Sequence, residues 1–175
     1  MEMSQIESAL APRDKRWEAV LAEVNCWRGA CLHHFSAAEM AVTETLLALA
    51  GNCPPDGAVR LRQLIGQRFE DLAAAIGAEG PFATQGQAAS AGLARYRQEQ
   101  EAFRALLCHG AVKVLVDQGG QWTLVIRSLS IRSRQAERGL VVLDEADARA
   151  RLVILKSEAQ KLASLLGQLR KAVRA

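Results

Sequence analysis

The run Glu101-Ala-Phe-Arg-Ala-Leu-Leu-Cys-His-Gly-Ala-Val-Lys-Val-Leu-Val116 decides how this chain is built. Phe103 and Leu107 extend a helical apolar spacing that starts at Leu93, Tyr96 and Gln100. Gly110 then closes the helix, and β-branched residues take over at Val112. The helix end carries Arg104 and His109, a permanent cation and a side chain that titrates near neutral pH. That combination at a helix terminus points to a phosphate site.

Reading outward, the helix is expected from about Ser90 to Cys108, with Gln100 the one polar residue on its buried side. Before it, residues 77–87 are rich in Gly, Ala, Pro and small polar residues and are expected to form the longest loop. Leu61, Leu64, Ile65, Phe69, Leu72 and Ile76 predict a helix over 59–76, and Gly51-Asn-Cys-Pro-Pro-Asp-Gly57 a dense turn. Residues 36–50 predict another helix, with Ser36 and Glu39 at capping-box spacing. A first helix is expected over 4–30, with a break or kink at Pro12 and a loosening at Gly29.

Downstream, Val112–Val116 and Gln121–Ser130 flank Asp117-Gln-Gly-Gly120, a hairpin signal. A third short strand over Gly139–Leu143 would follow a basic loop at 131–138. Asp144 is placed to cap a final helix, with Glu145 and Asp147 favouring its dipole. Leu152, Leu155, Ala159, Leu162, Leu166, Leu169 and Val173 repeat at alternating spacings of about 3 and 4 residues. This stripe suits the spine of a bundle or a dimer seam; the spine is the favoured reading. The expected fold is mainly α, an antiparallel bundle of four or five helices with a β-hairpin (about 112–143) inserted before the last helix. Residues 1–175 are read as a single domain.

Composition narrows the class. The chain has 175 residues, 50% of them hydrophobic and 23% charged, with a net charge of +3. That describes a globular protein and does not by itself imply a nucleic-acid partner. No apolar run approaches the ~18 residues needed to cross a bilayer, and the first residues lack a basic start and an apolar middle. No membrane association is expected, and a cytoplasmic location is. Cys26, Cys31, Cys53 and Cys108 have no CxxC spacing and are read as reduced thiols. The glycine loops, His-Glu-x-x-His and Gly-x-Ser-x-Gly signatures of common enzymes are missing. Cys31 with His33 or His34 has the wrong spacing for structural zinc. No metal or cofactor is expected.

Arg104 and His109 thus stand as the candidate chemistry. Residues i and i+5 on a helix lie about 140° apart, so a helix ending near Cys108 would let His109 swing toward the arginine. Arginine grips phosphate through paired charge-assisted bonds. Histidine is able to take a proton from a ribose 2′-hydroxyl or give one to the departing 5′-oxygen. Spacing alone does not single out this pair, because Arg28 and His33 repeat it. Its position at a helix end just before a basic hairpin does. Arg127, Arg132, Arg134 and Arg138 crowd that hairpin and are candidates for guiding an RNA backbone. Trp122 is a core residue or a base-stacking platform. Glu39 falls on the apolar stripe of its helix; it either caps the helix start or meets a basic partner such as Arg104 or Arg28.

The order of these features resembles the HEPN family. The residues that carry the resemblance are Phe103-Arg-x-x-Leu-x-His-Gly110, Asp117-x-Gly-Gly-x-Trp122 and the leucine-rich final helix. The Phe35-x3-Glu39-x6-Leu46 helix and the 59–76 helix are also similar to early helices of that family, so the likeness runs from about 17 to 173. It implies an Arg-x4–6-His catalytic element, with Arg104 polarising the scissile phosphate and His109 as acid and base. It implies a homodimer in which two such elements face each other, and a metal-independent endoribonuclease of toxin–antitoxin or defence systems, with an antitoxin protein as partner. The position after the arginine, often polar in active members, is Ala105 here. Other members are inactive modules that bind RNA, a nucleotide or a partner protein, which is the alternative the resemblance carries.

Overall fold

An apolar ladder along the first helix sets the frame. Val20, Val24, Trp27, Cys31, Phe35, Ala38, Val42, Leu46 and Leu49 are all buried and follow one another at steps of three or four, the period of a helix face. In a computed structural model, residues 3–53, 58–132 and 134–174 are described, without the side chains of residues 3–14 and 132. Helix α1 runs unbroken from Met3 to Ala50. The two helices expected over 4–30 and 36–50 are therefore one. Pro12 and Gly29 do not interrupt it, and Ser36 caps nothing because the ladder passes straight through it.

Among the described residues the fold is mainly helical, with four helices and one three-stranded antiparallel sheet. Helix α2 spans Ile65–Ile76, α3 Ala83–His109 and α4 Glu145–Arg174. Between α3 and α4 come β1 (Ala111–Val116), β2 (Trp122–Arg132) and β3 (Gln135–Asp144), paired in the order β1-β2-β3. The chain divides into two compact units, Met1–Leu32 with Ala105–Val153, and His33–Arg104 with Ile154–Ala175.

In the first unit the core is aromatic. The Trp27 and Trp122 rings lie 6.2 Å apart, and Trp27 Nε1 donates to the Ala148 carbonyl at 2.7 Å. Every second residue from Trp122 is buried, through Leu124 and Ile126, so one face of β2 is core. The β1–β2 turn closes as its residues predict. Gly120 takes φ +90°, a conformation that favours glycine, and Asp117 Oδ1 accepts the Gln121 N–H at 2.9 Å. The expected hairpin and third strand form a three-stranded meander, but β2 and β3 extend through most of the basic segment. Ser128–Arg132 pairs with Gln135–Gly139, so 131–138 is largely ladder rather than loop. Asp144 caps α4 as expected, its Oδ1 accepting the Asp147 N–H at 2.8 Å.

In the second unit, Phe35 and Phe103 meet edge to face at 5.9 Å. Leu155, Ala159, Leu162, Leu166 and Leu169 are buried within the chain, which takes up the α4 stripe internally. Arg170 Nη1 donates to the Ala41 carbonyl and to Thr45 Oγ1 at 3.2 and 3.0 Å, tying α4 to α1.

Two boundaries differ from expectation. Helix α2 starts at Ile65 rather than 59, and Leu61 and Leu64 are exposed. The cause is Arg62, whose Nε donates to Asp71 Oδ1 at 2.8 Å while its backbone N–H reaches Oδ2 at 3.2 Å. These bonds lay residues 62–64 along the helix instead of inside it. Helix α3 begins seven residues early, at Ala83, and shortens the expected loop. A Cβ on Gly86 would come within 2.6 Å of Ile76 Cβ, so only glycine lets α3 pack this closely on α2.

Candidate functional site

Arg104 sits in the last third of α3, with about a quarter of its side chain exposed (27%). Its Nε donates to Glu39 Oε1 in a short, charge-assisted contact with α1. The polar residue in the α1 stripe thus meets a basic partner, and that partner is Arg104. Both belong to the second unit. Tyr96, just over two turns before Arg104, is buried. Burial, with Glu39 nearby, pushes its hydroxyl upward from the usual phenol range, and Arg104 opposes the shift.

Arg104 also lines a narrow recess of about 30 Å³, room for about one water. Ile65, Gly66 and Phe69 of α2 form one wall, and Tyr96, Arg97, Gln100, Glu101 and Arg104 of α3 the other. The Phe69 and Tyr96 rings are nearly parallel, 11° apart with centroids 6.0 Å distant. Gln100 is 1% exposed, and its amide nitrogen and oxygen meet no hydrogen-bonding partner among the described residues. Arg97 Nε donates to Glu101 Oε2 at 3.4 Å on the rim.

His109 is the last residue of α3 and is exposed. The helix therefore runs one residue further than expected and holds His109 in helical register. At ideal periodicity its side chain leaves the helix about 140° from that of Arg104.

The four basic residues of the sheet segment separate. Arg127 in β2 and Arg138 in β3 are exposed and share one face, since the register pairs Arg127 with Leu140 and Arg138 with Leu129. This outward face also carries Leu129, Ile131, Leu140 and Val142, which are 69, 79, 63 and 57% exposed. Arg134 occupies the β2–β3 turn with a left-handed backbone, φ 66°. Arg132 pairs with Gln135 in the ladder, and its side chain lies outside the described residues. Trp122 is 1% exposed, a core residue rather than a platform for a base.

Arg28 and His33, which repeat the spacing, both lie within the unbroken α1. The His33 and His34 rings meet edge to face at 5.3 Å. Burial, then the charges of His33 and Lys156, hold His34 below its ordinary value. Cys31 is fully buried, which pushes its thiol up to about 12. Among the described residues no group of three or more His, Cys, Asp or Glu side chains is placed to hold a metal. Nor, among them, is any helix long and apolar enough to cross a membrane.

Sequence reasoning marked Gln100 as a polar intruder on an apolar stripe but gave it no role. It missed the recess altogether, because the α2 wall depends on where α2 starts. No family model matches the chain, and neither does any curated protein or solved structure.

Proposed function

We propose that this chain is a HEPN-like, metal-independent endoribonuclease that acts as a homodimer. The observation that carries the reading is the Glu39–Arg104 contact. A carboxylate from another helix holds a guanidinium that is about three-quarters buried near the end of α3, with an exposed histidine as the last residue of that helix. Arg104 keeps further N–H donors beyond the one given to Glu39, and these are the groups that would grip a scissile phosphate. His109 would take the 2′-hydroxyl proton and return one to the 5′-oxygen. On an ideal helix residues five apart point about 140° from each other, so in this reading a convergent site calls for a second copy. In this reading the four helices form an antiparallel bundle with the sheet inserted before α4. Arg127 and Arg138 would follow the RNA backbone, with Arg132 and Arg134 near them. A cytoplasmic toxin or defence role, with an antitoxin protein as partner, goes with the same reading.

The test is RNA cleavage by the purified chain in excess EDTA. Wild type is expected to cleave, and Arg104→Ala and His109→Ala to lose cleavage while still folding. Equal cleavage by His109→Ala would overturn the assignment.

A second reading is a catalytically silent module of the same type that binds RNA, a nucleotide or a partner protein. The ion pair favours it too, because Glu39 neutralises much of the charge Arg104 would offer to phosphate. Ala105, where active members often carry a polar residue, points the same way. RNA binding without cleavage by wild type would select this reading.

A further inference from the structure

We propose that β3 is the strand through which two copies of this chain join, edge to edge and antiparallel, about a two-fold axis at Val141. The ribonuclease reading calls for a second copy but names no surface for it. Edge pairing through β3 needs neither Arg104 nor His109, and it stands if no RNA is cut.

The first observation is an unprotected edge. Among the described residues the sheet has two outer strands, β1 and β3. An outer strand offers a row of N–H and C=O groups to any chain able to pair with them, and folds blunt it with short length, lysine or proline. β1 is blunted, for it has six residues with the exposed Lys113 near its middle. β3 is not. It has ten residues, neither lysine nor proline among them, and its run Gly139-Leu-Val-Val-Leu143 carries no charge.

The second is exposed apolar surface on that same strand. Leu140 and Val142 are 63 and 57% exposed, and Leu129 of β2, at 69%, lies diagonal to Leu140 on the outward face. Contiguous apolar surface of this kind marks an interface. Charge decides how it is used. By the register Lys113, Arg127 and Arg138 all lie on the outward face, and Asp144 is the one carboxylate there among the described residues. Two such faces stacked together would bury like charges in an apolar layer, which is costly. Pairing along the edge avoids that.

The third is the match that one register gives. Two-fold antiparallel pairing keeps the outward face outward, so outward residues of β3 meet outward residues of the second copy. An axis at Val141 sets Leu140 opposite the second copy's Val142, and Arg138 opposite its Asp144. Each match occurs twice by symmetry, and apolar and opposite-charge cross-strand pairs both stabilise a sheet. Asp144 gives only Oδ1 to the cap of α4, which leaves Oδ2 for the arginine. An axis at Arg138 would set that cation against itself. An axis at Leu140 or Val142 would leave it with no carboxylate opposite.

Sedimentation equilibrium of the full chain is expected to show a dimer. Val142→Lys puts a cation on the edge at an exposed position and is expected to raise the dissociation constant at least about tenfold with circular dichroism unchanged. Cysteine cross-linking reads the register, in a background of Cys26→Ser, Cys53→Ser and Cys108→Ser. Val141→Cys lies on the axis, where opposed Cα atoms are about 4.5–5.5 Å apart and within disulfide reach. It is expected to form a disulfide between copies. Leu143→Cys, set opposite Gly139, is expected not to. These two variants decide the matter if Val142→Lys fails to fold. A monomeric wild type, wild-type dimerisation by Val142→Lys, no cross-link through Val141→Cys, or one as strong through Leu143→Cys would overturn the proposal. A dimer with the expected cross-links that cuts no RNA would uphold it and overturn the ribonuclease assignment alone.

Discussion

Glu39 of α1 and Arg104 of α3 are joined by a direct carboxylate–guanidinium contact between residues 65 positions apart in sequence. Both side chains are about three-quarters buried, so the pair is partly shielded from water. Its worth to stability is nonetheless modest, because solvent still reaches it. Glu39→Gln is expected to change unfolding free energy by no more than about 1 kcal/mol, as read by urea denaturation. If Glu39 positions Arg104 for RNA, the same variant slows cleavage about tenfold, equivalent to about 1.4 kcal/mol of transition-state stabilisation. RNA affinity should not fall, since a competing carboxylate has been removed. A loss of affinity with unchanged turnover would count against the positioning role.

Arg127 and Arg138 are diagonal neighbours on the outward face of the sheet. Phosphate contacts release counterions, with about 0.9 added to the salt slope per contact on a duplex and about 0.7 on a single strand. Changing both residues to Ala should lower the slope of log affinity against log salt by about 1.4 units on a single strand. Fluorescence anisotropy with a labelled single-stranded RNA at several salt concentrations measures it. An unchanged slope would remove these arginines from the interface.

Asp71 is 3% exposed and accepts two hydrogen bonds from Arg62. The Arg62 side chain is the largest influence holding its carboxyl below the usual range, against the opposing effect of burial. A depressed carboxyl stabilises the fold above its unfolded value, about pH 3.9, and that contribution disappears as pH falls through the lower folded value. Asp71→Asn is expected to cost about 2 kcal/mol at pH 7 and to flatten the loss of stability below about pH 4. Denaturation midpoints between pH 3 and pH 7 test both parts, and an equally steep acid limb in the variant would contradict the assignment.

Leu162 is 1% exposed within the chain. Leu162→Ala should therefore cost about 3 kcal/mol through the cavity it leaves, with the sedimentation coefficient unchanged. A shift in oligomeric state at little cost in stability would show that the α4 stripe is a seam between copies after all.

Much of this fold is legible in residue types, and what was missed has identifiable causes. Gly110, the Val-rich run after it and Asp144 mark the helix–sheet–helix passage, because each signal is local. The length of α1 was legible in principle in the unbroken ladder from Val20 to Leu49, but Gly29 and Ser36 draw the eye to a boundary there. Weak local breakers lose to a continuous buried face. The start of α2 was not legible. Leu61 and Leu64 fit its apolar spacing, and the bonds from Arg62 to Asp71, nine positions on, are not readable from that spacing. The candidate site was visible as anomalies. Glu39 and Gln100 were the polar residues on apolar stripes, and the fold joins one to Arg104 and sets the other in a recess beside it.

The most direct measurement is end-group analysis of RNA cut by the wild-type chain in excess EDTA. Attack by a ribose 2′-hydroxyl with His109 moving the protons leaves a 2′,3′-cyclic phosphate and a 5′-hydroxyl. These ends, absent with His109→Ala and Arg104→Ala, are the predicted result. Products with 5′-phosphate ends, or intact RNA after prolonged incubation with folded wild-type protein, would contradict the account.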